Sequence, residues 1–375
     1  MPEKDSDAWF VFAGGGTGGH LYPGLAVAAS LRELKPDCRI TFLSTARPID
    51  RQIVGPYGYE IVPQPVQPWN SRPWKWPGFW KAYRASIRQA ARLFAERQPS
   101  AVLSLGGYAG APPIMAARKL RVPTAVFNPD AVPGRANRRL IGKVDTVFVQ
   151  WDSTLDVLGR PGHARVSGCP VRPEFLSLSR EEGCAACGVD PKRPVIAITG
   201  ASQGASSINR AAMALTDFWA EMSEWQIIHL TGKADCDEVR RAYAGKLPHA
   251  KVIDFTSKIA WVLAAADLVI SRAGASTLAE LCALGRASVL MPYPYDRKKH
   301  QHANAQVLAS TGAALIVEDR IDPIANAKAL RPVLKEMMIS AERRRRIAHA
   351  CRALSRENAA DLIANALIEM SDVLD

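Results

Sequence analysis

The sequence predicts an α/β protein built from two doubly wound domains. Short apolar or β-branched runs alternate with helix-length segments along all 375 residues, as in parallel sheets covered by helices. The alternation stops once, near residues 165–175, and then resumes, and a chain of this length can bury two separate cores. The candidate strands are 8–12, 39–45, 101–105, 124–128 and 146–150, then 195–200, 226–231, 250–255, 267–271, 287–291 and 313–317.

The interruption sets the predicted domain boundary. Because glycine and prolines break the alternation there, we predict a first domain over 1–167 and a second over 168–352. The spacing of apolar residues over 341–371 is helical. We expect the final segment, 353–375, to form a C-terminal helix that packs back toward the first domain.

Composition narrows the functional class. With 48% hydrophobic and 22% charged residues, the chain has the composition of a folded globular protein. No run approaches the roughly 18 apolar residues of a membrane-spanning helix, and the acidic start does not resemble a signal peptide, so we expect a cytoplasmic protein. The net charge of +12 favours polyanionic partners, which include nucleic acid, anionic lipid and phosphorylated substrates.

We expect no metal site. Cys184 and Cys187 form a Cys-x-x-Cys pair, but no second pair or nearby histidine completes a zinc ligand set. The Asp-x-Asp sequence from Asp235 to Asp237 lies away from the glycine loops and is interpreted as a solvated loop.

A glycine-rich loop follows the first candidate strand and ends at His20. Glycines there allow backbone N–H groups to approach a ligand closely, and the N-terminus of the next helix favours negative charge. A dinucleotide site competes with this interpretation, but Ser44 and Thr45 stand where that site has its acidic residue. The glycines leave His20 as the ionisable group facing the ligand, so it is the candidate general base.

Three segments of the second half suit a nucleotide sugar. Residues 199–209 repeat the strand, glycine loop and helix order, which favours a diphosphate with Ser202 as a hydroxyl donor. Residues 271–280 follow another strand, and Glu280 can accept two hydrogen bonds from a ribose diol. The amide and imidazole groups of 292–304 suit sugar hydroxyls.

Residues 61–95 contain no acid and are rich in aromatic and basic side chains, with a helix predicted to start at Pro77. This composition is typical of an interfacial helix on an anionic membrane. Two competing interpretations remain, namely that the aromatics are core residues, or that they stack on single-stranded nucleic acid. The residues concerned are Trp69, Arg72, Trp74, Lys75, Trp76, Phe79, Trp80, Lys81, Tyr83, Arg84, Arg88 and Arg92.

The ordered motifs resemble the MurG-type transferases of glycosyltransferase family 28 over essentially the whole chain. The motifs are GGTGGHLYPGLAVA, SLGGYAGAPP, ASQGASSIN, SRAGASTLAEL, and PYP followed by HQHANA. The resemblance implies the GT-B fold, in which two such domains face a cleft, with a lipid acceptor bound by the first domain and a UDP-sugar by the second. It implies inverting transfer of N-acetylglucosamine from UDP-N-acetylglucosamine to lipid I, forming lipid II at the cytoplasmic face of the inner membrane, with no cofactor and no nucleic acid partner.

The resemblance also assigns roles to matching positions. His20 and Glu280 are counted as catalytic, and Glu280 also binds the ribose. Backbone near Phe255 and Thr256 frames the uracil. The other implied contacts to acceptor, phosphates and sugar are Thr17, Gly18, Gly19, Arg172, Ser202, Ala275, Ser276, Thr277, Leu278, Ala279, His300 and Gln301.

The sequence departs from the family pattern after the strand at 124–128. The family's His-Glu-Gln-Asn is replaced by Phe127 to Asp130, so that a carboxylate stands where the family has a neutral amide, and Asp130 is still counted as substrate-binding. The change leaves open a related transferase with another lipid-linked acceptor. A UDP-sugar epimerase and a non-catalytic lipid-binding relative also compete with this function. The epimerase has no need of the aromatic, basic segment, and His20, Glu280 and Gln301 argue against a non-catalytic protein.

Overall fold

The computed structural model describes residues 8–69, 72–200, 204–296 and 298–372. The chain divides into two compact units, the first formed by Met1–Arg172 together with Arg356–Asp375 and the second by Pro173–Ser355. Ser202, predicted to bind the diphosphate, lies outside the described residues.

The first unit alternates strands and helices from its first strand onward. Its elements are β1 (Trp9–Ala13), α1 (Gly18–Leu34), β2 (Arg39–Thr45), α2 (Pro48–Val54), β3 (Glu60–Gln64), α3 (Trp76–Glu96), β4 (Ala101–Ser104), α4 (Gly107–Lys119), β5 (Thr124–Asn128), α5 (Arg135–Ile141), β6 (Thr146–Val149), α6 (Asp152–Leu158) and β7 (Ala164–Val166).

The described strands of the first unit form one parallel sheet in the order β3-β2-β1-β4-β5-β6-β7. The order reverses between β1 and β4, which is the point where doubly wound sheets bind ligands at the carboxyl ends of their strands. Helix α3 packs on this sheet through Ala90 and Phe94, and Phe94 makes an edge-to-face contact with Trp9 of β1. The C-terminal half of α3 is therefore anchored in the core.

The second unit follows the same plan. Its elements are α7 (Glu174–Ser177), α8 (Arg180–Cys187), β8 (Val195–Thr199), α9 (Ser206–Ala214), α10 (Thr216–Glu221), β9 (Gln226–Leu230), α11 (Cys236–Tyr243), β10 (Ala250–Ile253), α12 (Ile259–Ala265), β11 (Leu268–Ser271), α13 (Ala275–Leu284), β12 (Ser288–Leu290), α14 (His300–Ser310), β13 (Leu315–Ile316), α15 (Pro323–Ile339) and α16 (Ala341–Ala353).

The second parallel sheet has the order β10-β9-β8-β11-β12-β13 among the described strands. Its order reverses between β8 and β11, so the loops after these strands meet at the same edge. Buried aliphatic and aromatic side chains from this sheet and its helices, including Ile198, Ile270 and Trp219, form a core of their own. The two-domain α/β fold class predicted from the sequence is confirmed.

The last helix, α17 (Ala359–Asp372), belongs to the first unit, where it packs on α1. The Ser30 hydroxyl of α1 donates a 2.6 Å hydrogen bond to Asp361 of α17. Both crossings between units lie a few residues later than expected, after Arg172 and after Ser355. The chain from Gly168 stays with the first unit because it packs on Arg356, whose side chain lies against the glycine.

All eleven candidate strands occur within two residues of their predicted ends, but β3 and β7 were missed. Both are edge strands of the first sheet. Strand β3 contains Pro63, which an edge strand tolerates because one side of its backbone needs no partner, and β7 is three residues long. Neither therefore has the continuous apolar run of a central strand. The predicted helix over 341–371 is broken between α16 and α17.

Candidate functional site

Three loops of the first unit meet at the carboxyl edge of its sheet. They follow β1, β4 and β5, which are neighbours in the sheet. The first is the glycine loop before α1, the second contains Gly106 and leads into α4 at Gly107, and the third contains Pro129 and Asp130. The structure thus brings the loop of His20 next to the loop in which this chain departs from the family pattern.

His20 is the third residue of α1 and is half-buried. Its Nδ1 lies 3.1 Å from the hydroxyl of Thr17, the residue that precedes the helix. Its ring packs against the second loop, because a Cβ added to Gly107 would lie 3.1 Å from His20 Cε1. Contacts with Thr17, with Gly107 and with the Gly15 backbone fix the ring. Gly18 and Gly19 form the preceding residues of the same helical turn.

The pKa of His20 is lowered below its ordinary value. Burial is the main cause, and the carboxylate of Asp130, the Gly15 backbone and the carboxylate of Asp50 oppose it. A lowered pKa keeps the imidazole neutral near pH 7, as a general base requires.

Asp50 shapes the first glycine loop, and sequence reasoning missed it. Its carboxylate is fully buried and accepts hydrogen bonds from the Gly16 N–H, the Thr45 N–H and the Thr45 hydroxyl at 2.8, 2.8 and 2.6 Å. A Cβ on Gly15 would collide with Asp50 Oδ2, so the loop can take this path only with glycine there. In the sequence, Asp50 is recognisable as an acid in the first turn of the helix after β2. Acids are common at that position, so it does not by itself indicate a contact with the glycine loop.

Arg172 lies in the first unit although it was predicted within the second domain. Its side chain is buried, with the guanidinium carbon 4.5 Å from the centre of the Tyr22 ring on α1. A stacked guanidinium keeps its in-plane N–H groups directed outward, which suits a phosphate ligand.

In the second unit, α13 carries most of the predicted sugar-nucleotide contacts. Gly274 precedes the helix, and Ala275, Ser276 and Thr277 form its first turn. Leu278 and Ala279 are buried, so they support the helix through packing, whereas Glu280 is half-buried on its second turn.

The predicted uracil-framing residues follow β10. Phe255 is 54% exposed, and its N–H donates to the Asp254 side chain. Thr256 accepts a hydrogen bond from the Lys258 N–H through its hydroxyl. The loop is therefore shaped by its own side chains, and an exposed aromatic ring stands beside it.

His300 and Gln301 are the first two residues of α14. The Gln301 side-chain oxygen accepts a 2.9 Å hydrogen bond from the Tyr293 N–H, and its backbone N–H donates to Asp296. These contacts tie the start of α14 to the loop after β12. The amide nitrogen of Gln301 can still donate to a sugar hydroxyl.

The interpretation of Asp235 as part of a solvated loop was wrong. Its carboxylate is half-buried and accepts a 2.7 Å hydrogen bond from Asn209 of α9. Asn209 in turn contacts the fully buried His229, whose other ring nitrogen lies 3.0 Å from the Tyr243 hydroxyl. Asp235 is thus a structural residue of the second core.

The aromatic, basic side chains lie at the exposed start of α3, which begins at Trp76 with Pro77 in its first turn. The tryptophans at 69, 74, 76 and 80 are 47, 72, 40 and 44% exposed, so the interpretation of these tryptophans as core residues is wrong. Trp69 contacts Trp76 and Phe79 at centroid distances of 5.2 and 5.0 Å. We call the following set the aromatic–basic surface: Trp69, Trp74, Lys75, Trp76, Phe79, Trp80, Lys81, Tyr83 and Arg84.

Within the described parts of the chain, no helix has both the length and the apolarity needed to cross a membrane.

Two family profiles match the chain. Residues 10–149 match the glycosyltransferase family 28 N-terminal domain, and residues 195–364 match the glycosyltransferase family 28 C-terminal domain. The first match covers the loops around His20, and the second covers α13 and α14.

Curated relatives and a solved structure agree with the profiles. Two relatives are named UDP-N-acetylglucosamine–N-acetylmuramyl-(pentapeptide) pyrophosphoryl-undecaprenol N-acetylglucosamine transferase. The Thermodesulfovibrio yellowstonii protein is 34% identical over 88% of this chain and 91% of its own length, and the Sorangium cellulosum protein is 36% identical over 96% and 88%. The crystal structure of Acinetobacter baumannii MurG superposes with a TM-score of 0.72 at 24% identity, covering 96% of this chain and 99% of that one. From these matches, the chain belongs to the MurG-type transferases of glycosyltransferase family 28, with the GT-B fold.

Proposed function

We propose that the protein transfers N-acetylglucosamine from UDP-N-acetylglucosamine to an undecaprenyl-diphospho-N-acetylmuramoyl-pentapeptide, with inversion at the anomeric carbon. The observation that carries the proposal is the setting of His20, whose ring is held between Thr17 and Gly107 at the strand-order reversal of the first sheet. The relatives that share this chain's length bear that activity in their names. Such an activity serves cell-wall biogenesis, and with it cell shape and division.

The chemistry is a single displacement. His20 accepts the proton of the acceptor sugar hydroxyl, and the hydroxyl oxygen forms a bond to the anomeric carbon of N-acetylglucosamine. The bond from that carbon to the diphosphate oxygen breaks, and UDP leaves with the electron pair. Because the imidazole has a lowered pKa, it is neutral before the reaction and can take the proton.

Charge develops on the departing diphosphate and needs compensation. Arg172 supplies a permanent cation, and the N-terminus of the nine-residue helix α9 supplies oriented backbone N–H groups. We propose that these groups replace a metal ion in this role, so that chelation of divalent cations by EDTA leaves the transfer rate unchanged. A rate that falls on chelation and returns with added Mg²⁺ would overturn this part of the proposal.

We propose that the aromatic–basic surface attaches the enzyme to the cytoplasmic face of an anionic membrane, where a lipid-linked acceptor is found. Exposed tryptophans and cations lie together on one element, as in interfacial helices. A surface that stacks on single-stranded nucleic acid has the same composition. The membrane is favoured because the proposed acceptor carries a lipid.

Identification of the product tests sugar transfer against the epimerase reaction. The enzyme is incubated with UDP-N-acetylglucosamine and a short-chain lipid-diphospho-N-acetylmuramoyl-pentapeptide, and the product is identified by mass spectrometry and NMR. We expect a β-linked disaccharide from the wild type and a transfer rate reduced at least about hundredfold for His20→Ala. Formation of UDP-N-acetylmannosamine instead would establish the epimerase reaction. A wild-type rate in His20→Ala would refute the assignment of the base.

A further inference from the structure

A buried carboxylate in the second unit ties together the loops that carry the predicted donor contacts. We propose that Asp319, acting through Arg272 and Ser207, is a positioning residue for the UDP half of the donor site. This inference rests on the proposed function, because it concerns the binding of the donor's nucleoside diphosphate. None of these three side chains was singled out by the sequence patterns.

Asp319, Arg272 and Ser207 form a closed triangle of hydrogen bonds. Arg272 Nη1 donates to Asp319 Oδ2 at 2.7 Å, and Arg272 Nη2 donates to the Ser207 hydroxyl oxygen at 2.7 Å. The Ser207 hydroxyl donates to Asp319 Oδ2 at 2.5 Å. The carboxylate and the guanidinium are both buried, so neither charge is strongly screened by water.

The triangle joins the carboxyl ends of four neighbouring strands. Arg272 follows β11, Ser207 lies at the start of the helix after β8, and Asp319 follows β13. Arg272 Nη1 also donates to the backbone oxygens of Met291 and Pro292, which follow β12. One guanidinium therefore fixes the relative positions of all four loops, which lie where a doubly wound sheet binds its ligand.

These loops contain the predicted donor residues. Ser207 is the second residue of α9, the helix that follows the glycine-rich sequence after β8. Arg272 stands three residues before Ala275 and α13. Pro292 precedes Tyr293, whose N–H holds the Gln301 side chain at 2.9 Å. A displacement of the triangle is thus transmitted together to the start of α9, to the segment before α13 and to the Gln301 side chain.

The turn after Asp319 holds its carboxylate through hydrogen bonds. Ile321 has φ of +68°, a left-handed conformation that is rare for a β-branched residue. Asp319 Oδ1 accepts hydrogen bonds from the Ile321 N–H and from Asn326, each at 2.8 Å. Burial opposes ionisation of Asp319, but its hydrogen bonds with Ser207 and its other partners outweigh burial and lower its pKa. The carboxylate thus remains charged and fixed.

The same strand offers a matched control at its other end. Asp267 immediately precedes β11, and its carboxylate accepts from Arg180 Nη2 and from the Val195 N–H, each at 2.8 Å. This pair is also largely buried, with side chains 20% and 27% exposed. Asp267→Asn likewise removes a carboxylate charge that is paired with an arginine. This pair lies at the amino end of β11, whereas the predicted donor loops follow the carboxyl ends of the strands.

The first experiment compares UDP binding to wild type, Asp319→Asn and Asp267→Asn by titration calorimetry, with Tm measured for each. In Asp319→Asn the amide NH2 must face donors on one side or the other, either Ser207 and Arg272 or the Ile321 N–H and Asn326. We therefore expect the dissociation constant for UDP to rise at least about tenfold. Asp267→Asn lowers Tm but keeps that constant within about twofold of the wild type. Equal constants for wild type and Asp319→Asn, or an equal rise in both variants, would overturn the inference.

Two further variants separate positioning from folding. Ser207→Ala keeps the ion pair and removes the two sides of the triangle that the hydroxyl forms. It remains informative if Asp319→Asn does not fold, and we expect severalfold weaker UDP binding with little change in Tm. Arg272→Lys keeps the charge but lacks the planar fork of donors. We therefore expect its affinity for UDP to be lower than that of the wild type. Wild-type UDP affinity in both would also overturn the inference.

The binding assay is independent of the proposed reaction. A wild type that binds UDP but transfers no sugar to the lipid-linked acceptor would refute the proposed function, while the ratio of UDP dissociation constants would still decide the role of Asp319. In active enzyme we expect Asp319→Asn to raise KM for the donor and leave KM for the acceptor unchanged. A wild type that does not bind UDP would refute both.

Discussion

Replacing Gly107 by alanine places one methyl group against the ring of His20. The added Cβ would lie 3.1 Å from His20 Cε1 and 3.4 Å from Nδ1, so the ring must give way by a few tenths of an ångström. Gly107 also has φ of +71°, so the substitution strains the backbone as well. The variant therefore combines a general effect on stability with a local effect on the proposed base.

The two effects have different sizes. An L-residue held in the left-handed region costs roughly 1–2 kcal/mol of unfolding free energy, and a domain of this size then loses about 2–4 °C of Tm per kcal/mol. A misplacement of about 1 Å can cost about hundredfold in rate, so a shift of a few tenths is expected to lower kcat about three- to tenfold.

Gly58→Ala supplies the control for backbone strain. Gly58 has φ of +73°, it is exposed, and an added Cβ would meet nothing within 4 Å. We expect both variants to lose similar Tm by calorimetry and only Gly107→Ala to lose kcat in a steady-state transfer assay. Equal kcat values for the two variants would refute the argument that the contact with Gly107 positions His20.

Three other predictions follow from charge, exposure and burial. Asp130→Asn removes a carboxylate that raises the pKa of His20, so the acidic limb of the kcat/KM profile is expected at lower pH; an unmoved limb contradicts this. Trp74→Ala should weaken binding to anionic vesicles about tenfold in a sedimentation assay, because burial of its 72% exposed ring in the membrane contributes up to about 3 kcal/mol. The control Tyr57→Ala changes an exposed ring outside the aromatic–basic surface and should leave vesicle binding unchanged. Burial lowers the pKa of His229 to about 3, so below about pH 6.5 only the unfolded state takes up this proton. The free energy of unfolding of the wild type should then fall by about 1.4 kcal/mol per pH unit from this group. In urea titrations, the free energies of unfolding of wild type and His229→Gln should therefore converge as the pH is lowered.

The central strands could be predicted from the sequence because strands buried on both faces require continuous apolar runs. The edge strands β3 and β7 could not, since an edge position tolerates Pro63 and a length of three residues. The position of α17 on α1 depends on contacts such as Ser30 with Asp361, which join residues 331 positions apart. Periodicity within a single helix does not specify its partner.

The glycine loops were predictable for a similar local reason. A strand followed by glycines and a helix places backbone N–H groups at a sheet edge, so the loop of His20 could be read directly from the sequence. The carboxylates that hold the loops could not. Asp50 and Asp319 are distant in sequence from the glycine and arginine that they bind, and their importance comes from burial, which a single charged residue in a sequence does not reveal.

The most direct test of the account is UDP release from UDP-N-acetylglucosamine, measured with and without the lipid-linked N-acetylmuramoyl-pentapeptide. We expect release that depends on the acceptor, saturates with it, and matches the disaccharide product in amount. Release at the same rate without acceptor, or none with it despite UDP binding, would contradict the proposed transfer reaction.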